Sequence, residues 1–299
     1  MIQTLIGRVR FESFSGLASR LDKCLLIGLV AALLAMFATI RSVQAAPIVW
    51  GDFMGNTVMF VDVTENSGTD PDHFPPLAIP PDPNAGLFGK PIVSGDSLDF
   101  TPINFDAISQ FQSPAFDHTD GHLTFVAMAK GANDAIQNIK FAEGGALTVA
   151  GIGTNMTLAD VSAVGFLQIS HVDGNPINVI TIDIDLKFNF GSNGVLMNNG
   201  EWRLGSQGIV NGFPWKGEQL IDLNQELINR GITNFTRGAT KVTVSLDNTL
   251  MAQSELQGGA FIDKKDFFIV TVNVPEPASC GLAMLGLLAG FALVGRSRG

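Results

Sequence analysis

The sequence predicts an all-β fold, an antiparallel β-sandwich of jelly-roll-like type with one short helix. Three observations support this prediction. The segment 179–190 alternates strictly between apolar and polar residues. Other short apolar segments are separated by clusters of Gly, Asn and Asp, as strands are separated by turns. Long segments with the 3.6-residue period of core helices are missing between them. This pattern favours a sandwich of two antiparallel sheets.

The clearest predicted strand is 179–190. Its large apolar side chains occupy every second position: Ile180, Ile182, Ile184, Leu186, Phe188 and Phe190. Because successive side chains of a strand point to opposite faces, this spacing predicts one buried and one solvated face.

Further strands and turns follow the same logic. The predicted strands are 57–63, 97–104, 122–129, 136–141, 146–151, 165–171, 241–247 and 266–274. Turns are predicted at Glu143-Gly144-Gly145, Asp173-Gly174-Asn175, Asn198-Asn199-Gly200 and Gly258-Gly259-Ala260.

The helix and the longest loop are also predicted from local pattern. An apolar stripe from Leu220 to Ile228 predicts an amphipathic helix over 219–230 that stops before Gly231. The segment 65–91 contains the proline pairs Pro75-Pro76 and Pro80-Pro81. Since proline cannot donate to a strand ladder, this segment is predicted to be a long surface loop.

The N-terminal segment 1–45 has the three parts of a secretory signal peptide. Basic residues precede an apolar run at 24–40, and Val43-Gln44-Ala45 follows it. Small residues at Val43 and Ala45 suit signal peptidase, so cleavage is predicted after Ala45.

The C-terminal segment 275–299 has a different order of parts. It begins with Pro275-Glu276-Pro277, continues as an apolar run at 278–295 and ends with Arg296 and Arg298. The run is close to the roughly 20 residues that span a bilayer as a helix. The two arginines predict a cytoplasmic end, which places the preceding domain outside the membrane.

The exported domain is therefore predicted to be 46–274. The chain's two cysteines, Cys24 and Cys280, both lie outside it, so packing rather than disulfides must stabilise the domain. The chain carries a net charge of −10, and its terminal segments are basic. An acidic domain repels phosphate backbones, which argues against nucleic acid as a partner.

One histidine-rich segment is a candidate metal site. Asp117, His118, Asp120 and His122 bring two imidazoles and two carboxylates together within a short stretch. These ligand types suit zinc or another transition metal. The same run of Asp, Thr and Gly is also typical of a hairpin turn, so both interpretations stay open.

The remaining candidate ligand residues are few. No cofactor is predicted; calcium is an alternative through Asp70, Asp72 and the Asp173-Gly174-Asn175 loop, although no complete EF-hand pattern exists. Trp215 is the best candidate for stacking on a sugar, with packing at the rim of the sandwich as the alternative. No catalytic residue is assigned, because nucleophile-elbow, zinc-protease and phosphate-loop motifs are missing.

The C-terminal segment resembles the PEP-CTERM sorting signal of Gram-negative bacteria that make extracellular polysaccharide. The resemblance rests on Pro275-Glu276-Pro277, the apolar span and Arg296 with Arg298. It implies that the membrane protease exosortase recognises the tripeptide and releases the protein from its membrane helix. It also implies a passage through the inner membrane and a final location at the cell surface or in the extracellular matrix.

Two classes of function follow. The first is a surface or matrix protein without catalytic activity, processed by signal peptidase and exosortase and associated with exopolysaccharide. The second is a secreted polymer-degrading or metal-dependent hydrolase that uses the segment from Asp117 to His122.

Overall fold

The computed structural model describes residues 47–67, 86–102, 105–111, 115–191, 195–196 and 200–274. All of these residues belong to one unit of the chain, Ala45–Gly299. The predicted signal peptide 1–45 and the sorting segment 275–299 lie outside the described residues. Within the described ranges, no helix is long and apolar enough to cross a membrane.

The described chain is dominated by strands. In chain order they are β1 (Ile48–Met54), β2 (Val58–Ser67), β3 (Ile92–Ser94), β4 (Ser97–Phe100), β5 (Asp106–Gln110), β6 (Phe116–Ala129), β7 (Asn138–Ile152), β8 (Leu158–Val172), β9 (Asn175–Asp185), β10 (Lys187–Phe190), β11 (Val195–Leu196), β12 (Glu201–Arg203), β13 (Val210–Asp222), β14 (Ala239–Gln253) and β15 (Gln257–Asn273). Two short helices are present among them, α1 (Leu204–Gln207) and α2 (Leu223–Asn229).

The strands form two antiparallel sheets. Sheet A has the order β1-β2-β6-β14-β8-β12, and β9 also pairs with β8. Sheet B has the order β11-β10-β13-β7-β15-β4-β3, and β5 also pairs with β15. Apolar side chains from both sheets, such as Phe125 and Val244 of sheet A and Phe141 and Val270 of sheet B, belong to one buried core. The predicted all-β sandwich is confirmed; the jelly-roll-like type stays a prediction.

The segment 179–190 is not one strand. It divides at Leu186 into β9, which belongs to sheet A, and β10, which belongs to sheet B. Its six alternating apolar side chains are nevertheless all buried. The chain passes from one sheet to the other while the same face stays turned to the core, so the sequence alternation continues through the corner.

Two predicted turns lie inside long strands. Glu143-Gly144-Gly145 is part of β7, and Gly258-Gly259-Ala260 is part of β15. At Gly145 a Cβ atom would lie 1.8 Å from the backbone oxygen of Asp263. Glycine is therefore needed at this position for the close approach of two strands, not for a turn.

The Asp173-Gly174 turn, in contrast, is confirmed. It joins β8 to β9, and the φ angles of Asp173 and Gly174 are 52° and 81°. Two positive φ values in a two-residue hairpin are what an Asp-Gly pair favours.

The predicted helix over 219–230 is only partly correct. Its first residues continue β13, and α2 begins at Leu223. Asp222 caps α2 because its carboxylate accepts a hydrogen bond from the N–H of Gln225 at 2.9 Å. Pairing of β13 with β7 extends to Asp222, so the sheet determines where the helix starts.

The predicted loop 65–91 lies largely outside the described residues, but its two ends are defined. Glu65 belongs to β2 and is fully buried. Its carboxylate accepts hydrogen bonds from the N–H groups of Leu87 and Phe88, the latter at 3.0 Å. The carboxylate thereby fixes the returning chain and places Phe88 in the core.

Candidate functional site

Trp215 is not a surface residue. Only 1% of it is exposed, its ring packs edge-on against Phe188 at 5.8 Å, and its Nε1 donates to the backbone oxygen of Asp263 at 3.0 Å. The prediction that Trp215 stacks on a sugar is wrong. Trp215 is buried because its side chain belongs to the hydrophobic core, and this position cannot be seen in the local sequence.

The predicted metal ligands are spread over both faces of one strand. Asp117, His118, Asp120 and His122 all lie in β6, not in a hairpin turn. Asp117 is buried on the inner face, where its carboxylate accepts from the N–H of Ile108 at 2.6 Å. The other three alternate with it and lie on the outer face. Strand geometry therefore keeps the four side chains from meeting at one point.

A metal-binding cluster is also absent from the rest of the chain that the structure describes. No group of three or more His, Cys, Asp or Glu side chains in these residues could hold a metal ion. The carboxylate of Asp173 accepts hydrogen bonds from the N–H groups of Thr236, Arg237 and Gly238. Burial opposes ionisation of Asp173, but these bonds prevail and lower its pKa to about 2. The other calcium candidates, Asp70 and Asp72, lie outside the described residues.

His122 is instead part of a Ser–His–Asp arrangement on the outer face of sheet A. Its Nδ1 bonds to Oδ1 of Asp247, and its Nε2 lies 3.2 Å from Oγ of Ser245. Ser245 and Asp247 are two residues apart on β14, which pairs with β6. We name these three residues the outer triad.

The surroundings of the outer triad are those of a sheet surface. β14 pairs with β6 on one side and with β8 on the other throughout this region. The backbone N–H groups next to Ser245 therefore point along the sheet toward neighbouring strands. Acyl transfer needs N–H donors directed at a developing oxyanion beside the nucleophile. The outer triad has the side chains of a hydrolase without this donor geometry.

A groove on the outer face of sheet B is the best candidate binding site. It encloses about 230 Å³ between β5, β7 and β15. Its floor consists of small residues: Gly259 of β15 pairs with Ala150 of β7 on one side and with Gln110 of β5 on the other. Phe111 and Phe261 stand beside this floor. Small residues flanked by large ones create a depression in an otherwise flat sheet.

Phe111 gives the groove an exposed aromatic wall. Its side chain is 66% exposed, and its φ angle is 51°, an uncommon value for a residue with a side chain. A hydrogen bond of 2.9 Å from its N–H to the oxygen of Gly258 holds this backbone conformation. Strained backbone that presents an exposed side chain is frequent at binding sites. Since the chain contains no tyrosine, its large aromatic rings are those of phenylalanine and tryptophan.

The polar groups of the groove are neutral. The carboxamides of Gln110 and Gln257 and the hydroxyl of Thr148 line it, and none of its lining residues is charged. Carboxamides both donate and accept hydrogen bonds, as neighbouring hydroxyl groups of a sugar require. One sequence signal for this site was present, the Gly258-Gly259-Ala260 run. Because this run was interpreted as a turn, the floor of the groove was not predicted.

The C-terminal segment matches a known family. Residues 273–298 match the family model of the PEP-CTERM protein-sorting motif, and this range includes Pro275, Glu276, Pro277, Arg296 and Arg298. The chain is thus a PEP-CTERM sorting domain-containing protein. The motif implies export, passage through the membrane and processing by exosortase. No curated protein matches the sequence.

Solved structures give only faint likenesses. The family 11 xylanase from Neocallimastix patriciarum is 10% identical, with 76% of this chain and 99% of that chain covered and a TM-score of 0.22. TmCBM61 in complex with β-1,4-galactotriose is 8% identical, with 58% and 68% covered and a TM-score of 0.19. Likenesses of this size carry no argument about fold or function.

Proposed function

We propose that this exosortase-sorted protein binds a neutral polysaccharide of the cell surface or extracellular matrix and has no catalytic activity of its own. The observation that carries the proposal is the groove with Phe111 at its wall. The proposal includes a signal peptide at 1–45 cleaved after Ala45, and a membrane helix at 278–295 that exosortase removes.

The size of the groove suits one sugar ring of a longer chain. Its volume of about 230 Å³ is below the roughly 300–1,000 Å³ of pockets that enclose whole small molecules. The groove is open, so a polymer can lie across it with one ring on the floor. The apolar face of that ring packs against Phe111, and its hydroxyl groups bond to Gln110 and Gln257.

The charges of the groove and of the whole chain bear on which kind of polymer can bind. The groove has no charged lining residue, and the whole chain carries a net charge of −10. A polysaccharide rich in uronic acids would be repelled by the protein's field without gaining an ion pair in the groove. The groove therefore favours a neutral polymer.

Affinity for exopolysaccharide from the host, separated into neutral and acidic fractions, tests this proposal. The full-length protein is expected to bind the neutral fraction, and Phe111→Ala to weaken binding about tenfold, equivalent to about 1.4 kcal/mol. Gly259→Val tests the floor. A Cβ at Gly259 meets no atom closer than 3.8 Å, so valine fills the groove without disturbing the strand.

Phe166→Ala is the matched control. Phe166 is also an exposed phenylalanine, but it lies on sheet A and should leave binding unchanged. Equal affinity of wild type, Phe111→Ala and Gly259→Val would remove the groove from the proposal. Absence of binding to any host polysaccharide would overturn the proposed function itself.

The outer triad favours a second candidate function, a secreted hydrolase of ester-containing polymers. Ser245 and Asp247 bond to opposite nitrogens of His122, as in acyl-transfer enzymes. Labelling by a fluorophosphonate distinguishes the candidates: a hydrolase reacts at Ser245 and loses the label in Ser245→Ala. We expect no label, because the strand that carries Ser245 is paired with β6 and β8 on both sides, so its backbone N–H groups are directed along the sheet.

A further inference from the structure

A lysine lies in the centre of the core. β15 bulges after Asp263, where residues 264–266 face Gly145 of β7 alone. Lys264 turns inward at this bulge and is fully buried. Its Nζ lies 4.6 Å from the ring centre of Phe105 and 5.7 Å from those of Phe88 and Phe268. The ammonium side chain is thus enclosed by aromatic rings rather than by water.

Two further polar side chains meet Lys264 in this enclosure. Nζ donates to Oε2 of Glu143 at 2.6 Å and to Oδ1 of Asn248. Glu143 lies on β7 and Asn248 on β14, and both are fully buried. We name these three residues the inner triad. It connects the two sheets, since Lys264 and Glu143 belong to sheet B and Asn248 to sheet A.

The inner triad is incompletely satisfied as a set of hydrogen bonds. Among the described residues, Oε1 of Glu143 and Nδ2 of Asn248 have no hydrogen-bond partner although both are buried. Buried polar atoms without partners each cost stability, and native proteins contain few of them. The hydrogen bonds of the inner triad therefore leave one carboxylate oxygen and one amide nitrogen unsatisfied inside the core.

Burial pushes both ionisable groups of the triad toward their neutral forms. It lowers the pKa of Lys264, and it raises the pKa of Glu143, although attraction between the two opposes each change. A neutral amine carries the lone pair that a nucleophile needs, and a carboxyl group beside it can accept and return a proton.

We propose that Lys264 and Asn248 join in an intramolecular amide bond, with Glu143 transferring the proton. Nζ of Lys264 attacks Cγ of Asn248, and a C–N bond forms while the bond from Cγ to Nδ2 breaks. The electron pair of the broken bond leaves with Nδ2. Glu143 takes a proton from Nζ and supplies it to Nδ2, which departs as ammonia. No oxidant, reductant or other reactant is required.

The amide bond between Lys264 and Asn248 fits its place in the fold. The bond ties β14 of sheet A to β15 of sheet B, between residues that are 16 apart in sequence. It removes the unpartnered Nδ2 from the core, and it converts the ionisable amine of Lys264 into a neutral amide among the aromatic rings. The domain contains no cysteine, so this bond gives it a covalent cross-link that a disulfide cannot supply.

Peptide mapping of the full-length protein tests the bond. Trypsin cuts after Lys241 but not after an acylated Lys264, so the expected peptide is 242–265 with the mass of one ammonia missing. A second digestion after Glu255 splits the chain between the two joined residues. The fragments 242–255 and 256–265 stay together if the bond exists. Loss of ammonia from Asn248 alone, as a succinimide, gives the same mass but lets the fragments separate.

Variants assign the roles. Asn248→Ala and Glu143→Gln are expected to give unlinked peptides of the encoded mass, whereas Glu218→Gln keeps the link. Glu218 is the matched control, because its carboxylate lies 3.1 Å from Nζ of Lys140 on the exposed surface. Separate fragments of encoded mass from the wild-type protein would overturn the proposal, whether or not the variants fold. A complete link in Glu143→Gln would overturn the role of Glu143.

Discussion

The two triads share strand β14, where Asp247 of the outer triad is followed directly by Asn248 of the inner triad and the two side chains lie on opposite faces. Each triad joins three polar side chains that chemistry often uses. His122 and Asp247 are partly exposed, on a sheet face open to water. Lys264, Glu143 and Asn248 are fully buried among phenylalanine rings. The comparison shows that similar polar side chains stand in water on one face of β14 and in an apolar core on the other.

The physical reason is desolvation. Water and screening weaken the interaction of exposed charged groups, so an exposed pair contributes little to stability. In a core without water the same groups interact strongly. Burial there also shifts their pKa values in the direction that favours the neutral forms. The inner triad therefore combines a nucleophile, a proton carrier and an amide in the absence of competing water.

Breaking the inner triad should have the largest effect. Glu143→Ala leaves Lys264 buried without its carboxylate and is expected to lower the free energy of unfolding by about 3–5 kcal/mol. Urea denaturation measures this loss. The double variant Glu143→Leu with Lys264→Met, which removes both ionisable groups, should recover the part of this loss that comes from the unpaired lysine, but not the part that comes from the missing amide bond. A loss below about 1 kcal/mol in Glu143→Ala would show that the core does not depend on the pair.

Asp160 tests an intermediate degree of burial. Burial, and then the carboxylate of Glu201 opposite it, raise its pKa from 3.8 to about 6. Because the folded-state pKa is the higher one, the contribution of Asp160 to stability is complete below pH 3.8 and is lost as the pH rises through about 6. At neutral pH the folded protein therefore carries an unfavourable charge there.

Thermal melting of Asp160→Asn across this range measures the effect. The variant should be more stable than wild type at pH 7 by about 1 kcal/mol, a value reduced for the partial exposure of the group. The difference should disappear near pH 4. Glu218→Gln, which removes a carboxylate on the exposed surface, is the control. A difference independent of pH would contradict the role of the Asp160 charge.

Breaking the outer triad should have the smallest effect. His122→Ala is expected to lower the free energy of unfolding by less than about 1 kcal/mol, since the pair with Asp247 is open to water. Urea denaturation is the measurement. A loss as large as that of Glu143→Ala would contradict the expectation that the outer triad contributes less to stability than the inner triad.

The β-sandwich could be predicted because its signal is local. Alternation in 179–190 identified buried positions even though the chain changes sheets at Leu186, since the same face stays inward. The Asp173-Gly174 turn was predicted from two residues whose φ angles are positive. The glycine runs misled the prediction, because glycine serves close strand contact at Gly145 and the floor of a groove at Gly259 as readily as a turn.

The sequence by itself determined the destination of this protein and the class of its fold. A sorting motif is recognised as linear sequence, and strand alternation is encoded residue by residue, so both can be found without coordinates. The tertiary structure alone decided which polar side chains meet and which of them are buried. In the folded chain Trp215 is buried, and Asp117 and His118 lie on opposite faces of β6. Lys264 contacts Glu143, which is 121 residues away in sequence, and Asn248, which is 16 residues away. The reason is that sheet pairing and the bulge in β15 join residues whose proximity no local pattern encodes.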